Sequence, residues 1–309
     1  MLYPFLFHPL PQERVWGGRR LEKIYRRALP SNGPFGESWE ICDRPGAVSI
    51  VANGPLAGRD MRWLMENHVS DLLGMEPPSN GRFPLLFKIL DASETLSLQV
   101  HPPIGATDGE PKSEAWYVAH ANADAHLFAG LCHGITRDNF ENKLREGELS
   151  DCVPRLPLCA GDAMFLPSGR LHALGAGTLV FEIQQNSDTT YRVYDWNRMG
   201  LDGKPRELHI KSALESVDFD DIEPALSPTT GNPRVIAEAI GLFRVELHTL
   251  AAGDTKVLQC GMTIIAVVTG ELRLDGVTLT AGTHCLVPAC LSGTEMEATK
   301  ETSLLLTLP

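Results

Sequence analysis

The amino-acid sequence predicts a mainly β protein built from two β-barrel or sandwich domains with a few short helices. Strand-length apolar runs broken by Gly, Pro, Asn and Asp recur along the chain, as in residues 178–185, 244–250 and 262–276. Such regular alternation of short strands and turns is typical of all-β sandwiches and barrels. The length of 309 residues exceeds that of a usual single domain, which favours two domains.

Three segments interrupt the strand pattern and predict helices. Residues 59–74 repeat apolar side chains at helical spacing, residues 136–147 begin with Thr136 as a candidate N-cap, and residues 209–217 carry a weaker signal. The acidic, proline-containing segment 218–233 has little apolar content and is typical of a linker. We therefore predict a catalytic domain over residues 1–220 and a second β domain over residues 221–309.

Composition excludes several classes of partner and location. The net charge of −12 argues against nucleic acid and anionic membranes as partners, although one local positive patch can still bind a small anion. No apolar run approaches the roughly 18 residues that a membrane span requires, and the apolar start contains three prolines and no basic leader of a secretory signal. Seven cysteines without a CxxC pair predict reduced thiols and a cytoplasmic location.

Residues 96–102 place polar side chains on one face of a predicted strand. Because side chains alternate along a strand, Ser97, Gln99 and His101 are expected on one face. The apolar Leu96, Leu98 and Val100 are expected on the opposite face. A strand that turns Ser, Gln and His toward an interior indicates a functional site.

A second histidine lies in a spacing that resembles the second motif of the cupin barrels. Gly161, Pro167, Gly169 and His172 follow this spacing, and the Pro-Gly turn is expected to aim His172 into a barrel. The two histidines and the glutamate of the first cupin motif correspond here to Gln99, His101 and Glu114. Mixed N and O donors without sulfur suit one divalent ion such as zinc, and also iron, manganese, cobalt or nickel. The alternative is that His101 and His172 are hydrogen-bonded core histidines.

Nearly the whole chain resembles type I mannose-6-phosphate isomerase (phosphomannose isomerase), in its short bacterial form. The resemblance is carried by residues 13–21, 36–58, 83–92, 96–102, 112–118, 161–172 and 181–198. It implies a pair of cupin jelly-roll barrels and a metal, with zinc expected, bound by Gln99, His101, Glu114 and His172. It further implies a metal-dependent isomerase that interconverts mannose 6-phosphate and fructose 6-phosphate through an enediol. The implied partner is a phosphorylated hexose, and we expect a monomer or homodimer.

The reaction requires a base, stabilisation of the enediolate and an anchor for the phosphate. Glu182 shares a strand face with Val180 and Gln184 and is a candidate base or a ligand of a sugar hydroxyl, with a solvated edge carboxylate as the alternative. Lys112 shares strand parity with Glu114 and is a candidate for proton transfer or for holding phosphate or a hydroxyl.

Three further residues are candidate substrate contacts. Arg192 matches the active-site arginine of the family, and Arg198 falls where longer members carry a lysine; both guanidinium groups suit an anion. The alternative for each is an ordinary surface arginine. Ser97 lies on the face of Gln99 and is expected to donate to substrate or only to order the strand. Arg170 is expected to be exposed and without a role.

The C-terminal segment is predicted to be a second barrel without a metal. Residues 282–288 repeat the spacing from Gly to Pro, but no histidine follows. Two other functions remain open from the sequence: a cupin that binds sugar phosphate or regulates without turnover, and a metal-dependent oxygenase. Turnover without oxygen would separate the isomerase from the oxygenase.

Overall fold

The computed structural model describes residues 1–259 and 261–309. Cys260 lies outside the described residues, and the other six cysteines form no disulfide within the described part of the chain. Across these same ranges, no helix has the length and apolar character that crossing a bilayer requires.

The protein is mainly β, as predicted. In the described residues, the 23 strands in chain order are β1 (Phe5–Leu6), β2 (Leu10–Gly18), β3 (Phe35–Ile41), β4 (Asp43–Arg44), β5 (Ala47–Val48), β6 (Leu85–Ala92), β7 (Leu98–Val100), β8 (Glu114–Ala121), β9 (His126–Ala129), β10 (Arg155–Pro157), β11 (Ala163–Leu166), β12 (His172–Leu174), β13 (Thr178–Gln185), β14 (Tyr191–Tyr194), β15 (Arg234–Ala239), β16 (Phe243–Leu250), β17 (Thr255–Val257), β18 (Thr263–Thr269), β19 (Glu271–Leu274), β20 (Val277–Thr280), β21 (His284–Val287), β22 (Glu295–Ala298) and β23 (Thr302–Leu308).

The part of the chain that the structure describes also contains four α-helices, α1 (Arg20–Tyr25), α2 (Met61–Leu73), α3 (Arg137–Glu146) and α4 (Ile210–Ser216), with 3₁₀ turns at Leu149–Cys152 and Ala289–Leu291. The three predicted helices are confirmed, whereas the short α1 was not predicted. The Asp60 side chain caps α2 by accepting from the backbone N–H of Trp63, and Thr136 caps α3 as expected. Helix α2 ends at Gly74, whose φ of +66° suits the left-handed position that glycine favours.

The chain divides into two compact units. One comprises Pro11–Glu37 and Leu90–Ser227, and it contains the sheet of order β10-β9-β12-β7-β14 and the adjacent strands β11, β8 and β13 of a second sheet, whose full order is β11-β8-β13-β6-β2-β3. Side chains from both sheets meet in one hydrophobic core, which includes Trp116, Met164 and Val180 from the second sheet and Leu127 and Leu174 from the first. Alternate residues of the strands therefore face an interior shared by two sheets.

The other unit comprises Met1–Leu10, Ser38–Ile89 and Pro228–Pro309. Its sheets have the orders β1-β21-β18-β23-β16-β15 and β17-β22-β19-β20. They enclose a second core, to which the two sheets contribute among others Ile265, Leu304, Leu272 and Met296.

This division differs from a single cut after residue 220. Strand β1 pairs antiparallel with β21, with Phe5 opposite Leu286, so hydrogen bonds tie the start of the chain to its C-terminal strands. The predicted linker also packs onto the first-described unit: Leu131 N–H donates to the carbonyl of Asp221, and Ser227 N–H donates to that of Ala163. The first-described unit ends at Ser227, seven residues beyond the predicted cut. These two hydrogen bonds hold the acidic segment against that unit.

Candidate active site

Strands from two sheets bring the predicted metal ligands together. Gln99 lies on β7 directly opposite His172 on β12, and directly opposed residues of an antiparallel pair project to the same face. Glu114 starts β8 and lies opposite Gln184 on β13. His101 follows β7 immediately, so the period-two pattern of residues 97–101 continues to its side chain.

His101, Glu114 and His172 form a compact buried cluster. One ligand atom from each lies within 4.8 Å of the others. His101 Nε2 is 3.5 Å from Glu114 Oε2, and His172 Nε2 is 3.2 Å from Glu114 Oε1. All three side chains are at most 1% exposed. Such a set of two imidazoles and one carboxylate is a common ligand set for zinc and other divalent ions.

Backbone carbonyls orient both imidazole rings. His101 Nδ1 lies 2.8 Å from the carbonyl oxygen of Thr189, and His172 Nδ1 lies 2.9 Å from that of Arg170. A carbonyl only accepts, so Nδ1 carries the proton in both rings and the Nε2 lone pairs face the carboxylate. In the described chain, His101 Nε2 and Glu114 Oε1 are buried without a hydrogen-bond partner, and Glu114 Oε2 is 2.8 Å from Lys112 Nζ. Lone pairs that face one another in a buried site fit a bound cation.

Gln99 lies beside this cluster. Its amide nitrogen is 3.3 Å from His172 Nε2. A half-turn of the amide would present its oxygen to the same position. Gln99 is thus placed to add an oxygen ligand to the three-residue cluster.

The electrostatics of the cluster favour ligands in their metal-binding protonation states. Burial, followed by the charge of Lys112, lowers the pKa of His101 to about 3. Burial alone would raise the pKa of Glu114, but the neighbouring Lys112 ammonium and then His101 hold it well below its usual range. The imidazole is therefore neutral and the carboxylate ionised at neutral pH.

The turn before His172 has the form that its motif predicts. Gly169 has φ +90°, a left-handed conformation that other residues rarely adopt, and its N–H donates to the carbonyl of His101 at 3.0 Å. The Pro167–Arg170 turn is thereby fixed against the segment that carries His101, which places both histidines.

Lys112 and Glu182 face the same interior. Lys112 Nζ lies 2.8 Å from Glu114 Oε2, and its side chain is 4% exposed. Glu182 is buried on β13, and its Oε1 accepts a hydrogen bond of 2.9 Å from Trp116 Nε1. Glu182 is therefore not a solvated edge carboxylate. Trp116 also contacts His172 edge to face, with ring centroids 5.3 Å apart. It therefore contacts both Glu182 and one of the predicted metal ligands.

Arg192 and Arg198 belong to a basic cluster on the edge strand β14 and the turn after it. Arg192 lies opposite Gln99 in the β14–β7 register, which puts both side chains on one face. Its Nη1 donates to the carbonyl of Glu207 at 2.7 Å. Arg198 donates to the carbonyl of Thr95 at 2.8 Å and to Asp195 at 2.7 Å. Both arginines are held by the fold rather than spread on the surface.

Two expectations from the sequence are corrected. Arg170 is not exposed: its fork donates two bonds of 2.8 Å to the Asp221 carboxylate, and its side chain is 14% exposed. Leu96 packs in the core that contains Trp116, whereas Leu98 and Val100 pack in a separate core on the other side of β7. The alternation fails at Leu96 because the strand starts only at Leu98. Ser97 is buried and donates to Gln99 Oε1 at 3.3 Å.

The sequence reasoning missed Trp116, Thr189, Asp195 and Arg206. Trp116 shares parity with Lys112 and Glu114, so the same alternation contained its signal. Asp195 lies between Arg192 and Arg198 in the chain, but its pairing with Arg206, with Nε 2.7 Å from Oδ2, joins residues 11 apart through a turn. No periodicity predicts that contact.

Comparisons with known proteins give one family. The family model for the catalytic domain of type I phosphomannose isomerase matches residues 5–107. The chain is 33% identical to the probable mannose-6-phosphate isomerase GmuF of Bacillus subtilis over 97% of this chain and 98% of the relative. It is 31% identical to the mannose-6-phosphate isomerase of Streptococcus mutans over 97% of each. The crystal structure of the mannose 6-phosphate isomerase from Bacillus subtilis superposes with a TM-score of 0.88, at 29% identity and with both chains fully covered. This confirms the predicted mainly β, cupin-type jelly-roll fold, and the chain belongs to the type I phosphomannose isomerase family, a family of isomerases.

Proposed function

We propose that this isomerase interconverts mannose 6-phosphate and fructose 6-phosphate with the help of one divalent ion, zinc being the expected one. The observation that carries the proposal is the buried cluster of His101, Glu114 and His172, whose ligand atoms lie within 4.8 Å of one another. Gln99 adds an amide oxygen. A divalent ion at this position would polarise the sugar oxygens and stabilise negative charge on the enediolate.

Glu182 is the proposed proton-transfer base. Lys112 forms a 2.8 Å ion pair with Glu114, which engages it as a cation, so it is suited to hold a sugar oxygen rather than to accept a proton. Among the predicted site residues, Glu182 is the buried carboxylate other than the metal ligand Glu114, and the Trp116 N–H orients it. In this proposal Glu182 takes the proton from C2 of the open-chain aldose and returns it to C1, while the hydroxyl proton passes from O2 to O1.

The remaining predicted residues serve the substrate's polar groups. Arg192 shares a strand face with Gln99 and supplies positive charge next to the site. Arg198 donates to the carbonyl of Thr95, two residues before Ser97. We assign Arg192 and Arg198 to the anionic end of the substrate and Ser97 to a hydroxyl. The unpaired thiols support a cytoplasmic location, and the state as monomer or homodimer stays a prediction.

The test is a coupled assay with mannose 6-phosphate, run on the purified protein before chelation, after it and after zinc is returned. We expect activity to disappear with the metal and to come back with zinc. His101→Ala should lose bound zinc and activity together, whereas His133→Ala, at an exposed position, should keep both. Full activity after complete removal of metal would refute the metal dependence, and a zinc-loaded protein without turnover would favour a binding or regulatory role.

A further inference from the structure

A single carboxylate organises two of the arginines near the active site. Asp195 Oδ1 accepts from Arg198 Nη2 at 2.7 Å, and the Arg206 fork binds both Asp195 oxygens through Nε and Nη2. The side chain of Asp195 is 6% exposed, that of Arg198 12% and that of Arg206 20%. Arg206 is thus the more accessible of the two guanidinium groups that Asp195 holds.

Arg192 brings a third positive charge to the same place. Its pKa is lowered by burial first and then by the charge of Arg206, with Arg198 contributing in the same direction. Three carboxylates act on these guanidinium groups: buried Asp195, exposed Glu94, whose Oε2 lies 3.4 Å from Arg198 Nη1, and exposed Glu207, which raises the pKa of Arg192. Water and salt screen the two exposed carboxylates more than Asp195. The cluster therefore offers positive charge to an anion such as a phosphate monoester, which carries about −1.5 to −2 at neutral pH.

The cluster also has hydrogen-bond donors to spare. Within the described part of the chain, the Nε atoms of Arg192 and Arg198 are buried and have no acceptor. Arg206 binds Asp195 through Nε and Nη2, so Nη1 takes no part in this pair. Buried donors without acceptors are rare in folded proteins, and an anion that supplies acceptor oxygens would account for them.

The cluster lies next to the proposed reaction centre. Arg192 is in register with Gln99 across β14 and β7, and the Arg198 guanidinium is bonded to the Thr95 carbonyl, two residues before Ser97. A hexose 6-phosphate has its phosphate at the end opposite to C1 and C2, so the phosphate site must lie beside the reacting carbons and not on them.

We propose that Arg206 binds the phosphate group of the substrate and that Asp195 is a positioning residue, which fixes the Arg206 and Arg198 forks before substrate arrives. This inference rests on the proposed function and assigns its specificity for phosphorylated sugars to these two residues. Forks fixed in advance lose less conformational entropy on binding than free arginine side chains.

Arg206→Gln, Arg206→Lys and Asp195→Asn test the assignment, with Arg145→Gln as the matched control. Arg145 lies on the exposed face of α3, where it pairs with Glu141 at 3.5 Å. For each variant, kcat and KM with mannose 6-phosphate are measured together with competitive inhibition by inorganic phosphate. Calorimetric titration with inorganic phosphate adds a measurement that does not need turnover.

We expect Arg206→Gln to raise KM and the inhibition constant of phosphate at least tenfold while kcat stays within threefold. Arg206→Lys should restore part of the affinity because it keeps the charge but not the fork. Asp195→Asn should weaken phosphate binding even though it removes a negative charge, which simple electrostatics would predict to strengthen it. Arg145→Gln should match the wild type.

Two results would overturn the inference: phosphate affinity in Arg206→Lys and Arg206→Gln within twofold of the wild type, or stronger phosphate binding by Asp195→Asn. A wild-type protein that binds phosphate through Arg206 but does not isomerise mannose 6-phosphate would refute the proposed function and leave the phosphate site standing. Should Arg206→Gln fail to fold, Arg206→Lys decides the question.

Discussion

Acidification of the metal-free protein is expected to remove stability through His101. Burial, followed by the charge of Lys112, lowers the pKa of this imidazole from 6.5 to about 3. Because the folded-state pKa lies below the unfolded value, the unfolded chain takes up the proton first. The stabilising contribution of the neutral ring is therefore complete well above pH 6.5 and is lost as the pH falls below 6.5.

The size of the effect follows from the pKa difference. Stability falls by at most about 1.4 kcal/mol for each pH unit below the unfolded pKa. Between pH 7.5 and pH 5 this amounts to roughly 2 kcal/mol for one imidazole that stays neutral in the folded state. Glu114 does not contribute in this window, because its pKa is held below the usual 4.5 and its contribution is lost only in more acidic solution.

The assay is urea unfolding of chelator-treated protein at pH 7.5 and pH 5. The wild type is compared with His101→Gln, whose amide can still donate to the Thr189 carbonyl but does not titrate. We expect the free energy of unfolding of the wild type to fall by roughly 2 kcal/mol more than that of His101→Gln. Equal falls in the two proteins would refute a neutral, buried His101 and, with it, the lone pair that the metal site requires.

Three further predictions concern single contacts. Trp116→Phe removes the N–H that orients Glu182. Because a hydrogen bond to a charged group contributes about 1.5–3 kcal/mol, kcat in the coupled assay should fall by roughly tenfold to a hundredfold. KM should change little. Arg170→Met leaves the partly buried Asp221 without its bidentate partner and should cost about 1–3 kcal/mol in urea unfolding. Asp60→Ala removes the cap of α2 and should cost about 1 kcal/mol, whereas Asp60→Asn should keep most of that stability.

Each of these predictions has a result that contradicts it. An unchanged kcat in Trp116→Phe would remove Glu182 from proton transfer. Unfolding of Arg170→Met at the wild-type urea concentration would mean that the contact with Asp221 adds no net stability. Equal losses in the Asp60 variants would show that charge near the helix start, and not the capping hydrogen bond, stabilises α2.

Local patterns of the sequence predicted most of the elements and the heart of the candidate site. Strand β13 was predicted over its observed range of residues 178–185, and Thr136 caps α3 as its hydroxyl suggested. The spacing from Gly161 to His172 predicted the turn that aims His172. Proline fixes its own φ, and glycine adopts positive φ readily, as Gly169 does at +90°, so these residue types mark a turn in the sequence itself.

Other contacts were beyond such reasoning. The pairing of Phe5 with Leu286 joins strands that lie at opposite ends of the chain. Arg170 was expected on the surface because arginine usually lies there, and only the fold brings Asp221 within 2.8 Å of it.

The sequence by itself determined the mainly β architecture, the strand faces that carry Gln99, His101 and Glu114, and the family to which the chain belongs. Only the tertiary structure decided which side chains meet in the candidate metal site, which carbonyls fix the histidine rings and how Asp195 joins Arg198 to Arg206. The physical reason is the range of the interactions. Strand alternation, caps and turns depend on neighbours within a few residues, whereas the geometry of the site depends on segments that meet only when the two sheets enclose a common core.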